Sequence, residues 1–277
     1  MSFCHKDFYW ANNASKNANV ICVIVGVSAS TKSEKFIYDE DVRKAATHIN
    51  AYLVDGPDII IEKTPMPING LPQMFAGNIP RDLGNFMMDR TEYEAIIREY
   101  PGSDQFFRQI MGSSEFINGI ERYCLWIEDS QAAAAMALPP IAERVQNVRA
   151  YRESGSDRGK MGVETPYKFE RTITGTYSQL IIPRVSAERR EYLPVGCQKS
   201  GIIVSDAAQA IYDAPLYTMA VICSKLHICW VGLTAGRMKS DYRYSSGVCY
   251  NTFPVPRLTE QNTADLTRCA EDILLAR

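Results

Sequence analysis

Six charged or hydroxyl side chains crowd one short stretch near the middle of the chain: Arg184, Ser186, Glu188, Arg189, Arg190 and Glu191. An apolar run at 180–182, typical of a buried strand, precedes them, and turn residues close the stretch at 194–196. Arginine offers a two-pronged donor that matches guanine, and a carboxylate accepts from the amino group of cytosine. The stretch therefore holds the groups that reading DNA bases requires. The alternative is a solvated charge run whose members pair with one another at a strand end.

Spacing within this stretch predicts which side chains act together. Alternate residues of an extended segment project to opposite sides, so Glu188 and Arg190 would face the bases while Arg189 faces a phosphate. Ser186 joins the predicted base contacts, and Arg184 joins the predicted phosphate contacts.

A second group of donors lies at 237–244 and mixes lysine, arginine, serine and tyrosine. Donors of these types position a protein on phosphates without reading sequence. The predicted phosphate contacts in this loop are Arg237, Lys239, Tyr242 and Arg243. The alternative is a surface loop whose charges pair with one another.

Spacing disfavours other kinds of chemistry. Asp58 with Glu62 and Lys63 is similar to a nuclease set, but adjacent residues leave a strand on opposite faces. His227 has no serine or aspartate partner at a meaningful spacing, so we expect a core position for it. The eight cysteines form no C-x-x-C pair and no cysteine–histidine spacing typical of zinc. The sequence predicts no catalytic residue and no metal site in this chain.

Bulk composition is that of a globular protein, because 46% of the 277 residues are hydrophobic and 22% are charged. The net charge of −2 gives no bulk argument for binding nucleic acid, so any positive surface has to be local. We find no signal peptide, and the apolar runs at 20–27 and 219–231 are too short or too interrupted to cross a bilayer. We expect a cytoplasmic protein with free thiols and no membrane partner.

Two helices are predicted before the charged stretch. Asp89 caps the first, and the Pro-Gly pair at 101–102 ends it. The second begins after the Leu-Pro-Pro run at 138–140 and continues to about Glu153. Three arginines are predicted on its polar face: Arg144, Arg149 and Arg152. A basic face of this kind is usually just solvated, and beside DNA it would contact phosphates.

Buried elements flank this region. The apolar run 19–27 predicts a strand buried on both faces. After a strand at 201–204 the composition changes, and 215–233 predicts one mostly buried helix. Thr259 caps a last amphipathic helix. We therefore expect an α+β fold of mixed short strands, followed by a smaller helical domain at the C-terminus.

Several stretches, in order along the chain, match one family: 52–57, 116–119 with 122–126, 183–196, 239–245 and 250–254. The longest reads Pro-Arg-Val-Ser-Ala-Glu-Arg-Arg-Glu-Tyr-Leu-Pro-Val-Gly. Together they resemble the MmeI-like family of fused restriction–modification enzymes, over about residues 8 to 256. Thr252 and Val255 depart from the family's Tyr-Asn-Asn-Phe-Pro-Trp-Pro. The segment 170–173 departs from an Arg-Gln-Pro-like segment, which puts contacts from that segment in doubt.

The resemblance implies three parts in this chain. Residues 1–30 would form the C-terminal edge of a methyltransferase domain, 31–204 a DNA target-recognition domain, and 205–277 a C-terminal helical domain. It also implies that the loop at 154–160 reaches the major groove together with 188–191. This implication adds Arg158 and Lys160 to the predicted base contacts.

The resemblance further implies sequence-specific recognition of double-stranded DNA within a DNA adenine-N6 methyltransferase/endonuclease. The intact enzyme would use S-adenosylmethionine, and magnesium for cleavage. No Asn-Pro-Pro-Tyr motif and no glycine-rich cofactor loop occur here, so we expect no cofactor in this fragment. Its partners would be DNA and the methyltransferase domain of the same polypeptide. The alternative is a subunit-assembly module without base-specific contacts, and an independent hydrolase lacks any nucleophile–base set.

Overall fold

The computed structural model describes residues 1–10, 20–29, 34–155, 160 and 162–277. Its strands are β1 (Phe3–Trp10), β2 (Val20–Gly26), β3 (Lys35–Asp39), β4 (Val42–Ala46), β5 (Phe75–Ala76), β6 (Met87–Asp89), β7 (Phe107–Met111), β8 (Arg122–Leu125), β9 (Ser178–Pro183), β10 (Val185–Ser186), β11 (Gly196–Lys199), β12 (Ile203–Val204), β13 (Ala208–Tyr212), β14 (Gly236–Met238) and β15 (Asp241–Arg243). Its α-helices are α1 (Arg90–Glu99), α2 (Ser113–Asn118), α3 (Ala132–Met136), α4 (Pro139–Glu153), α5 (Tyr217–Ile222), α6 (Lys225–Thr234) and α7 (Glu260–Leu275). Several small sheets mixed with helices confirm the predicted α+β class.

The N-terminal sheet has the order β2-β1-β3-β4, with β1 antiparallel to β2 and parallel to β3. The prediction that β2 is buried on both faces is wrong, since Val23 is 52% exposed and Ile24 is 44% exposed. Within the described residues β2 is an edge strand that pairs with β1 alone. One backbone edge of β2 is therefore unpaired in the described part of the sheet. Its apolar side chains project from the faces of the sheet and are exposed there to solvent.

Two four-stranded sheets form the body that follows, in the orders β11-β9-β13-β5 and β12-β7-β8-β6. Leu180, Ile181 and Ile182 on β9 are buried, which confirms the strand predicted there. β13 pairs with β9 from Ala208 to Tyr212. The first sheet therefore crosses the boundary predicted at residue 204, because the change of composition marks the start of helices and not the end of the sheet.

Helices α1 and α4 form where the sequence predicts them. The Asp89 carboxylate accepts a hydrogen bond from the backbone N–H of Glu92 at 2.8 Å, which caps α1. The buried residues of α4 recur at helical spacing: Ile141, Val145, Val148 and Arg152. Arg152 therefore lies in the apolar stripe, and its predicted place on a basic face is wrong.

The run 215–233 forms two helices, where the sequence predicted one. The Ser224 hydroxyl accepts from the backbone N–H of His227 at 3.1 Å and so caps α6 two residues after α5 ends. Helix α7, capped by Thr259 as predicted, places Ala270 in the same core as α5. Among the described residues, every helix is too short or too polar to span a membrane.

Candidate nucleic-acid interface

The two groups of donors predicted from the sequence lie side by side in a three-stranded sheet of order β10-β15-β14. Ser186 on β10 is opposite Tyr242 on β15, and Arg237 on β14 is opposite Tyr242 from the other side. A two-residue turn joins β14 to β15, so residues 236–243 form a tight structure that we call the hairpin. Strand pairing thus joins two segments that are far apart in sequence.

The end of the charged stretch is a turn. The backbone N–H of Arg190 donates to the carbonyl of Ala187 at 3.1 Å, and we call residues 187–190 the charged turn. The expectation of an extended segment with alternating sides is wrong here, because a turn projects neighbouring side chains around its tip. Glu188, Arg189 and Arg190 are all exposed.

An ion pair joins the charged turn to the hairpin. Nη1 of Arg237 donates to Oε1 of Glu188 at 2.8 Å and to the carbonyl of Ser240 at 2.9 Å. The guanidinium also lies 4.5 Å from the centroid of the Tyr242 ring. This pair joins the two stretches, whereas each sequence alternative expected pairing within one stretch. The pair connects the turn and the hairpin into a single surface.

Two of the predicted contact residues lie at the base of this surface. Ser186 is 1% exposed, so its hydroxyl does not face solvent in this conformation. Arg184 is half-buried, and its Nη1 donates to the carbonyl of Asp206 at 3.0 Å. Its backbone N–H also donates to the Ser113 hydroxyl at 3.1 Å, an anchor that sequence spacing gave no signal for.

Four cations of the surface are exposed: Arg189, Arg190, Lys239 and Arg243. Within the described part of the chain, none of these four side chains makes a hydrogen bond or an ion pair. Lys239 stands at the tip of the hairpin with a φ of 58°, in the left-handed region. Glu191, by contrast, lies 3.5 Å from Lys225. The surface is thus locally basic, although the chain as a whole is slightly acidic.

A buried pair supports the hairpin from below. Tyr244 follows β15, is 1% exposed, and donates its backbone N–H to the carbonyl of Arg184 at 2.8 Å. Its hydroxyl lies 2.9 Å from Nε2 of His227 on α6. Burial lowers the pKa of His227 to about 3, so the imidazole is neutral near pH 7. The prediction of a core histidine is confirmed.

Among the residues described, the loop at 154–160 and the arginines predicted on α4 supply fewer exposed cations than the charged turn and the hairpin. Lys160 is exposed, and Arg158 lies outside the described residues. Arg144 pairs with Glu92, and the guanidinium of Arg152 is buried among backbone carbonyls. The sequence missed the role of Arg152, although its position four residues after Val148 on the buried stripe carries the signal.

Among the described residues, no group of three or more histidine, cysteine, aspartate or glutamate side chains is arranged to hold a metal ion. Oδ1 of Asp58 instead lies 2.8 Å from Nε2 of His48, with the Asp58 side chain exposed and that of His48 half-buried.

Family models match two parts of the chain. The model described as "MmeI, target recognition domain" matches residues 55–257, and "MmeI, DNA-methyltransferase domain" matches residues 1–39. The chain belongs to the MmeI family. The charged turn and the hairpin both lie within the target-recognition match, and β1 and β2 lie within the methyltransferase match.

Two relatives agree with this family. A protein of Bacillus subtilis (strain 168) described as "DNA methyltransferase A" is 39% identical over 277 residues, which are 99% of this chain and 31% of that protein. A solved structure of the Type IIL restriction–modification enzyme MmeI in complex with DNA is 35% identical, with a TM-score of 0.91. That match covers 100% of this chain and 38% of the solved chain. The MmeI-family chain described here thus spans about a third of the length of these relatives.

Proposed function

We propose that this chain is the part of a restriction–modification DNA methyltransferase that recognises a specific sequence of double-stranded DNA. The observation that carries the proposal is the basic surface formed by the charged turn and the hairpin. The Glu188–Arg237 ion pair joins the two parts, and four exposed cations surround that pair. A tip of two or three residues that stands on a rigid sheet has the size to enter a major groove. The similar MmeI structure was solved in complex with DNA, which supports DNA as the partner of this chain.

The side chains of this surface divide into two proposed roles. Glu188 and Arg190 at the tip of the charged turn are proposed to contact bases, with Lys160 contributing from the preceding loop. Arg189, Lys239 and Arg243 are proposed to contact phosphates, together with Arg184 and Tyr242 at the edge of the surface. Arg237 would reach a phosphate by exchanging its carboxylate partner. Arg158 stays a prediction, and Ser186 would need to leave its buried position.

The match of residues 1–39 to the methyltransferase model supports a position of this chain next to a methyltransferase domain of the same polypeptide in the proposed enzyme. The exposed apolar side chains of β2 would then pack against the rest of that domain. S-adenosylmethionine would supply the methyl group there, and magnesium would serve cleavage if a nuclease domain is present. We assign no residue of this chain to either. Such an enzyme acts on the genome, so we propose the cytoplasm as its location.

Binding of the 277-residue chain to a pool of random duplexes tests this function. We expect one enriched sequence. We also expect the logarithm of the binding constant to fall linearly with the logarithm of the salt concentration, with a slope of about −0.9 for each phosphate contacted. A subunit-assembly module would instead self-associate in sedimentation experiments and enrich no sequence. That outcome would refute the proposal.

A further inference from the structure

Residues 57–72 connect the N-terminal sheet to the body of the chain, and none of them lies in a helix or strand. We call this segment the strap. Several of its apolar side chains face solvent, including Ile59 at 60% and Ile68 at 69% exposure. A segment without regular structure is ordered only if its backbone groups find partners elsewhere. The start of the strap bonds to the N-terminal side, where Asn50 donates to the carbonyl of Pro57 and Ile61 donates its N–H to the Tyr52 hydroxyl. From Thr64 onward its partners outside the strap lie in the turn at 246–251.

Hydrogen bonds from Asn251 hold the middle of the strap. Its side-chain Nδ2 donates to the carbonyl of Thr64 at 2.8 Å, and its own carbonyl accepts from the N–H of Ile68 at 2.9 Å. Asn251 is 3% exposed, so these bonds form away from solvent. The N–H of Thr64 in turn donates to the carbonyl of Gly247 at 3.0 Å.

Tyr250 holds the far end of the strap. Its carbonyl accepts from the side-chain amide of Asn69 at 2.8 Å, and its hydroxyl donates to the carbonyl of Pro72 at 2.7 Å. The stem of Lys63 crosses Gly247 so closely that a β-carbon there would lie 2.7 Å from Cγ of the lysine. Five hydrogen bonds and this close crossing fix the register of the strap on the turn.

The same turn is joined directly to the hairpin. Arg243 ends β15 on the exposed surface, and Tyr244 is anchored on His227 and Arg184. The turn begins at Ser246, two residues after Tyr244. A short run of chain therefore links the basic surface to the segment that leads to the methyltransferase-matched sheet.

We propose that Tyr250 and Asn251 are positioning residues that clamp the strap and so fix the orientation of the N-terminal sheet relative to the basic surface. The inference rests on the proposed function in one respect: a fixed orientation is useful if the basic surface reads DNA and the N-terminal sheet belongs to a methyltransferase. The clamp itself is a property of the folded chain without DNA. An experiment can therefore refute the clamp without refuting the proposed function, and the reverse.

Amide hydrogen exchange and NMR relaxation of the 277-residue chain test the clamp. Asn251→Ala removes the buried bond from Nδ2 to the Thr64 carbonyl and keeps the backbone carbonyls that accept from Thr64 and Ile68. Loss of this one bond lowers local stability, so we expect the amides of Thr64 and Ile68 to exchange about tenfold faster. We also expect the N-terminal sheet to reorient faster than the rest of the chain. Asn118→Ala, an exposed asparagine on α2, is the matched control and should change neither quantity.

Asn69→Ala removes one contact from the strap side and leaves the turn intact, so it keeps the test decisive if Asn251→Ala does not fold. Unchanged exchange at Thr64 and Ile68 in the folded variants would overturn the clamp. Equal acceleration throughout the body would also overturn it, because Asn251 would then be ordinary core. We expect DNA affinity to stay within about twofold of the parent. A parent chain that binds no DNA would refute the proposed function and leave the exchange result standing.

Discussion

Nη1 of Arg152 donates to the carbonyl oxygen of Gly162 at 2.9 Å, and a β-carbon at position 162 would lie 3.0 Å from that same nitrogen. Gly162 also has a φ of 87°, which side chains rarely adopt. The guanidinium donates further to the carbonyls of four other residues: Pro80, Arg81, Thr165 and Lys168. A single buried cation thus ties helix α4 to two separate loops.

Loss of Arg152 should destabilise the chain strongly. Arg152→Ala leaves buried carbonyls without donors, and we expect it to lower the free energy of unfolding by about 3–5 kcal/mol. Arg152→Lys should recover only part of this, because an ammonium lacks the planar fork of donors. Urea unfolding followed by circular dichroism measures both. Arg149→Ala, exposed on the same helix, is the control and should stay within about 0.5 kcal/mol of the parent. A similar small effect at Arg152 would contradict the network.

Stability should fall in mild acid because of His227. Its pKa of about 3 in the folded chain lies below the ordinary value of 6.5, so the unfolded chain binds the extra proton between these values. The stabilisation is complete above pH 6.5 and is lost as the pH falls toward 3. Between about pH 7.5 and about pH 5 this group alone should remove about 2 kcal/mol. His227→Gln should show a smaller loss in urea unfolding at the two pH values. If the free energy of unfolding changed equally with pH in the parent and in His227→Gln, His227 would not be the cause of the loss.

Arg190 should determine one position of the recognised sequence. We expect Arg190→Ala to weaken binding by about 1–3 kcal/mol and to relax the choice of base at a single position. Competition between duplexes that differ at one base pair measures both effects. Arg268→Ala, an exposed arginine on α7, removes the same charge away from the charged turn and serves as the control. If Arg190→Ala kept the selectivity of the parent at every base position, Arg190 would not be a base contact.

The Glu188–Arg237 pair should separate choice of sequence from overall affinity. In Glu188→Ala, Arg237 no longer has to give up its carboxylate partner to reach a phosphate, so we expect overall affinity to rise at an unchanged salt slope while preference at one base weakens. In Arg237→Ala, and equally in Lys239→Ala, binding should weaken evenly across sequences with a salt slope shallower by about 1. Titrations at several salt concentrations distinguish these results. A changed preferred site in Arg237→Ala would contradict its role at phosphate.

Local signals in the sequence predicted the elements whose causes are local. The cap at Asp89 and the apolar spacing of α4 need only neighbouring residues, and α1 begins where predicted. Helix α4 begins at Pro139, inside the Leu-Pro-Pro run after which it was predicted, and ends at Glu153 as predicted. The break between α5 and α6 was missed because one long apolar run hides the cap at Ser224. The bond from the N–H of Arg190 to the carbonyl of Ala187 makes a turn where we expected an extended segment.

Contacts between distant residues could not be predicted in the same way. The sequence assigned Glu188 to base contacts and Arg237 to phosphate contacts in two separate stretches, and only the pairing of β10 with β15 brings these stretches together. The five carbonyls around Arg152 come from two loops that no spacing rule connects. The family resemblance, by contrast, did not depend on geometry and is confirmed over residues 55–257.

Strand β2 has a practical consequence for work with this chain in solution. Its seven residues contain neither charge nor proline, and its outer backbone edge pairs with no described strand. Such an edge is a template on which a second molecule can add its own strand, so concentrated samples should grow intermolecular sheets. Val23→Lys would block the addition of further strands to β2, and light scattering would measure the decrease in aggregation.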